Sequence, residues 1–332
     1  SSAASDVYKR QSRYWVEVVP QYIFDSPDEN NESVRRLLEV ERPRAAFTSI
    51  QYKLKEIHPP LLVQMLSAIA EKSRDKAGEY KPDEYYVRLA FQLIDLNPEL
   101  TVEEKVGLEF TYIEVLTRPF RGKDQQQIPN LELYIEEHPE LFVRAVVWTY
   151  KRGDGGEDPA EFRVREGREY LAQGGHRLLE AIERIPGQDQ ATKEEQKKKL
   201  ADWVATVRRS CAELDRAEIA DVCLGKLLSN APTGEDGVWP NEAVRDVMED
   251  LQSENLSRGA HIGLYNARGV HCRGEGGDQE QKLADKYRVW ADALQFTHPF
   301  VSSSLLMSMV NTYEREAKQH DTEACIQRRL KH

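Results

Sequence analysis

The residues best suited to chemistry lie in one stretch, SRGAHIGLYNARGVHCRGEGGDQEQ, running from Ser257 to Gln281. It carries Arg258, Arg268 and Arg273 with His261, His271 and Cys272, spaced by glycines, and leads into a helix expected to begin near Asp278. Glycines let a backbone approach a ligand closely, and a helix N-terminus presents free N–H groups to an anion. Guanidinium groups add bidentate, charge-assisted hydrogen bonds. The expected ligand is a small anion or a nucleotide, held by Arg258, His261, Arg268, His271 and Arg273. The pattern is neither a P-loop nor a dinucleotide fingerprint, so a plain packing role between helices is the competing reading.

Other constellations reduce to less. His261, His271, Cys272, Glu275 and Asp278 do not have the ligand spacing of a zinc site, and no metal or cofactor is expected. Cys272 has no separate base to activate it as a nucleophile. Pro82-Asp83 with Glu103-Glu104-Lys105 mimics a carboxylate–lysine nuclease set, but Glu104 closes a capping box with Thr101 and so reads as the start of a helix. KEEQKKK, Lys193 to Lys199, has acidic neighbours and reads as a solvated helix face. Near the end of the chain, Arg315-Glu-Ala-Lys-Gln-His320 resembles the catalytic motif of HEPN ribonucleases, all-helical proteins in which an Arg and a His act at the scissile phosphate. That resemblance implies an alternative, a helical nuclease using Arg315 and His320. It departs from the family at Glu316, where Asn, Asp or His is usual.

The elements that must position these residues are helical. Leu200, Trp203, Val204, Val207, Cys211 and Leu214 recur at helical spacing, as do Leu61, Leu62, Met65, Leu66 and Ile69, and Leu283, Tyr287, Trp290 and Leu294. Thr101 with Glu104 and Thr192 with Glu195 have capping-box spacing. Only Tyr14–Phe24 hints at alternation with period two. His-Pro precedes an apolar run at His58, His138 and His298, at intervals of 80 and 160 residues. That periodicity fits two-helix units of roughly 40 residues, and it equally fits independent helices that begin with proline. The fold class is all-α, with antiparallel helix pairs stacked as a HEAT- or TPR-like α-solenoid or as an irregular array. The pattern resembles HEAT and armadillo solenoids. Ser257–Gln281 with its continuation KYRVWADAL is similar to the C-terminal parts of large bacterial proteins, a likeness that carries no activity with it.

Asp6 to Gln11 can be encoded by GAT-GTG-TAT-AAG-AGA-CAG, which resembles a transposon mosaic-end adapter. Residues 1–11 are therefore expected to be adapter-derived, with native sequence from Ser12 in a truncated metagenomic reading frame. The expected division is 12–187 and 188–332, with the seam at Ile185–Thr192. A net charge of −11 over 332 residues argues against broad nucleic-acid binding. No apolar run approaches the ~20 residues that span a bilayer. Four cysteines without a C-x-x-C pair point to reduced thiols and a cytoplasmic setting. The expected function is a non-enzymatic helical scaffold that binds protein partners, part of a larger bacterial protein.

Overall fold

The computed structural model describes residues 25–71, 82–118, 128–163, 170–268 and 276–330. Residues 1–24, including the expected adapter and the Tyr14–Phe24 stretch, lie outside the described residues. Among the described residues there are fifteen α-helices and no strand. Contacts divide the chain into two units, Ser1–Tyr134 and Ile135–His332. Ile185–Thr192 lies inside the second.

The first unit holds α1 (Pro27–Glu39), α2 (Pro43–Ile50), a 3₁₀ turn (Gln51–Glu56), α3 (Pro59–Glu71), α4 (Glu84–Asp95), α5 (Val102–Thr111) and α6 (Ile113–Thr117). α7 (Pro129–Glu137) begins in this unit and ends in the second. Proline opens α1, α2, α3 and α7, where its missing N–H is no loss. The His-Pro recurrence is one case of this wider habit. α3 packs on α1, α2, α4 and α5, burying Leu62, Met65 and Leu66. Asn31, 2% exposed, stitches the start together. Its amide donates to the Pro27 and Glu56 carbonyls, and its Oδ1 accepts from the His58 N–H.

The residues of the carboxylate–lysine set have structural duties here. Asp83 caps α4 by accepting from the Tyr85 N–H at 2.8 Å. Thr101 and Glu104 form the capping box of α5. Lys105 turns inward and donates to the Asp95 and Asn97 carbonyls. Glu109 is fully buried and accepts from the backbone N–H groups of Asn130 and Leu131, closing the N-terminus of α7. Burial pushes its carboxyl up to about 7, against those hydrogen bonds.

The second unit continues with α8 (Pro139–Thr149), α9 (Tyr170–Ala181), α10 (Lys193–Glu213), α11 (Ala217–Leu228), α12 (Glu242–Leu251), α13 (Glu254–Ala267), α14 (Asp278–Leu294), a π turn (Val301–Leu306) and α15 (Met307–Leu330). From α10 to α13, each helix packs on the one before last. α8, α10 and α12 form one series, and α9, α11 and α13 form another. α8 also packs on α9, and α10 on α11, so the two series lie against each other as layers. The expected stripe on α10 is the core of one layer: Leu200, Trp203, Val204, Val207 and Cys211 are all buried. Trp203 donates its indole N–H to the Ile135 carbonyl at 2.9 Å and meets Phe142 edge-on.

The other layer is held by glycine. A Cβ on Gly225 would stand 2.0 Å from the Leu256 carbonyl oxygen, and one on Gly259 would stand 2.1 Å from that of Val222. Gly263 is equally close to the Ser229 hydroxyl. Contact thus rises along both helices together, so α11 and α13 run in the same direction.

Buried ions pin the connections. Arg216, 2% exposed, donates to the Tyr150 and Leu214 carbonyls and to Asp158, fixing the RGDGGEDP turn. Arg245, 3% exposed, grips Asp236 with both terminal nitrogens and also bonds the Pro240 carbonyl, fixing NAPTGEDGVWP. Its hydrogen bonds hold the Asp236 carboxyl down at about 2. KEEQKKK is an ion-paired face: Lys193 meets Glu235 and Glu242, Lys197 meets Asp246 and Asp250, and Lys199 meets Glu136.

Candidate functional site

The first half of the Ser257–Gln281 stretch is helix, not loop. Residues 257–267 belong to α13, and Gly259 and Gly263 serve its close crossing with α11 rather than a ligand. Two glycines four residues apart share a helix face, which is why they open a packing groove instead of a turn. His271, Cys272 and Arg273 lie outside the described residues.

Arg268, at the C-terminal end of α13, is committed to carboxylates. It donates to Glu280 at 2.6 Å, lies 3.7 Å from Glu316, and sits over the Tyr313 ring. Burial works to raise the Glu280 carboxyl, but the Arg268 hydrogen bond and charge outweigh it and leave it below the usual range. Tyr265 and Tyr287 stack against Tyr313, and Tyr265 donates its hydroxyl to Glu316. This is a brace between α13, α14 and α15. The N-terminus of α14, expected near Asp278, is likewise taken: the Gly277 N–H donates to Asp321 at 2.9 Å.

Arg258 is on the same helix as Arg268 but ten residues earlier, about 15 Å along the axis at 1.5 Å per residue. The two guanidinium groups therefore do not converge on one small anion. What the structure brings to His261 comes from α15 instead. His261 Nδ1 lies 3.1 Å from the Ser308 hydroxyl and its Nε2 lies 3.5 Å from that of Thr312. Burial and the neighbouring charge of Arg315 both lower the proton affinity of His261, so the ring is neutral at pH 7. α15 follows α13 in direction: Ser304 donates to Glu254, Ser308 and Thr312 meet His261, and Glu316 meets Tyr265. The π turn just before α15 adds a residue to one turn, and such turns recur at functional sites.

Arg315 and His320 face different neighbours. Five residues at 3.6 per turn set them about 140° apart around the helix. Arg315 is exposed and stands by His261. His320, its side chain 15% exposed, stands by Glu323 at 3.5 Å and close to Glu280.

Sequence reasoning missed the pairing of His261 with Ser308, Thr312 and Arg315. Its only trace in the sequence is their spacing of four and three residues, which places three polar side chains on one stripe of a terminal helix. Among the described residues no group of three or more His, Cys, Asp or Glu side chains is placed to hold a metal ion. Burial pushes Cys211 up to about 12 and Cys223 up to about 11, so neither is a reactive thiolate at neutral pH. No described helix is long and apolar enough to cross a membrane. Comparison with protein-family models, with curated proteins and with solved structures finds no match.

Proposed function

We propose that this chain is a helical scaffold that binds a partner protein and catalyses no reaction. Its architecture reads as an α-solenoid of the HEAT, armadillo or TPR kind. The alternating layers α8–α10–α12 and α9–α11–α13 support that reading, because stacking each helix on the one before last is how repeat arrays bury a continuous core. A cytoplasmic setting is supported by the buried, unpaired thiols of Cys211 and Cys223.

The observation that carries the interaction role is a tyrosine patch in the first unit. Tyr52 is 69% exposed and Tyr85 is 47% exposed. Both rings pack edge-on against Tyr86, at 5.2 and 5.1 Å between centroids. Contact with Tyr86 restricts both rings, which reduces the side-chain entropy lost on binding. Tyrosine offers a broad apolar face with a polar tip, and it is enriched where binding energy concentrates in protein interfaces.

Affinity capture from lysate of the source cells tests this, with the full chain and its Tyr52→Ala/Tyr85→Ala variant as parallel baits. A protein retained by the parent and lost by an equally stable variant is the expected result. Equal retention by both, or none by either, contradicts it.

A further inference from the structure

We propose that Arg258 and His261 of α13 with Ser308, Thr312 and Arg315 of α15 bind a phosphomonoester group. This inference stands independently of the tyrosine patch, which lies in the other unit.

The first ground is charge left over. Arg36, Arg118, Arg184, Arg208, Arg245 and Arg288 each face a carboxylate within 3.1 Å. Arg258 and Arg315 are exposed guanidinium groups with no carboxylate partner among the described residues, and Lys318 on the next turn of α15 has none either. The carboxylates of these two helices are turned elsewhere. Glu254 accepts from Ser304, Glu314 pairs with Arg288, and Glu316 serves Arg268 and Tyr265. A protein of net charge −11 has here gathered uncompensated positive charge on one face. Like charges held together without a counterion repel, and an arriving anion relieves that repulsion.

The second ground is geometry. Arg258 precedes His261 by three residues on α13, and Arg315 follows Thr312 by three residues on α15. Since the two helices run in the same direction, Arg258 stands about 4.5 Å before His261 along α13 and Arg315 about 4.5 Å beyond Thr312 along α15, on opposite sides of the imidazole along the axes. Between them lie the Ser308 and Thr312 hydroxyls, each already within 3.5 Å of the ring. Hydroxyls and a ring N–H donate to single oxygens, and guanidinium forks donate to pairs of them. The Thr312 hydroxyl already donates to the Ser308 carbonyl at 3.0 Å, so a tetrahedral dianion draws chiefly on the two guanidinium forks, with the Ser308 hydroxyl turning from the ring to an anion oxygen. The neutral ring can also take up a proton as the anion arrives, which adds a charge where it is needed.

The face also limits the ligand. It is bounded at one end by Glu254, which accepts from Ser304, and at the other by Glu316, which is held by Tyr265 and Arg268. That span suits one phosphoryl group of charge about −1.5 to −2 rather than the repeating phosphates of a nucleic acid strand. The phosphoryl group can belong to a free small molecule or to a phosphorylated side chain of a protein.

Calorimetric titration of the full chain distinguishes the two sources. The probes are inorganic phosphate, a phosphoserine peptide and the same peptide without phosphate. Saturable binding of inorganic phosphate and the phosphopeptide alike points to a free phosphate, and of the phosphopeptide alone to a modified protein. In either case Arg258→Gln/Arg315→Gln is expected to weaken binding at least tenfold with no change in Tm, while Arg118→Gln in the first unit leaves it unchanged. The His261 ring, followed by NMR, should titrate at higher pH when the probe is bound. Failure of both phosphate probes to bind, binding unaffected by the double variant, or equal binding of the unphosphorylated peptide overturns the proposal.

Discussion

Gly259 approaches Val222 so closely that a Cβ on it would stand 2.1 Å from the Val222 carbonyl oxygen. No neighbouring side chain can yield to make room, because the obstacle is the backbone of α11. The crossing of α11 and α13, and with it one layer of the second unit, is therefore set by the absence of a side chain.

Gly259→Ala should destabilise the chain despite the ~1 kcal/mol by which alanine favours a helix over glycine. Forcing the helices apart opposes this with an overpacking loss of typically ~1–3 kcal/mol, and more where backbone must move. A urea unfolding curve with a midpoint clearly below the parent's is expected. A raised midpoint would mean that the helices do not touch at this residue.

Trp203→Ala should cost about 3–5 kcal/mol, the range for a large aromatic truncated in a core. Trp203 is 4% exposed, and its indole N–H bonds the Ile135 carbonyl. Trp203→Phe should keep much of the packing and lose chiefly that hydrogen bond, about 1 kcal/mol. Equal losses for the two variants would show that the ring contributes little.

Glu109 should make the first unit less stable as pH rises. Its folded-state pKa is raised to about 7, above its ordinary value of 4.5, so the folded chain binds the proton more tightly than the unfolded one. The stability this adds is fully present below about 4.5 and is lost as pH rises through about 7. Asp95, also raised chiefly by burial, acts in the same direction. Between pH 5 and pH 8 the stability of the parent should fall relative to that of Glu109→Gln. A constant difference across that range would place the carboxyl's titration elsewhere.

How much the sequence disclosed follows from the range of each interaction. Thr192 with Glu195 was legible because a capping box is complete within four residues, and both of its bonds are present. The α10 stripe was legible because helical spacing alone puts Leu200, Trp203 and Val207 on one face. Trp290 was less so. It lies on its expected stripe but is only half-buried, reaching out to the Gly237 carbonyl. The site was the least legible, since its partners come from distant segments. Nothing local says that Arg268 will meet Glu280 and Glu316 while Arg258 meets no carboxylate among the described residues. Gly259 and Gly263, which suggested a ligand loop, serve helix packing, and composition cannot separate the two uses.

The interaction role is tested most directly by photo-crosslinking at the tyrosine patch. A benzophenone amino acid is placed at Tyr52 in one sample and, as a control on another exposed surface, at Arg36 in a second, and each is irradiated in lysate of the source cells. The account predicts a discrete protein adduct at position 52, absent at position 36 and reduced by Tyr85→Ala. Adducts of equal yield at both positions, or none at position 52, would contradict it.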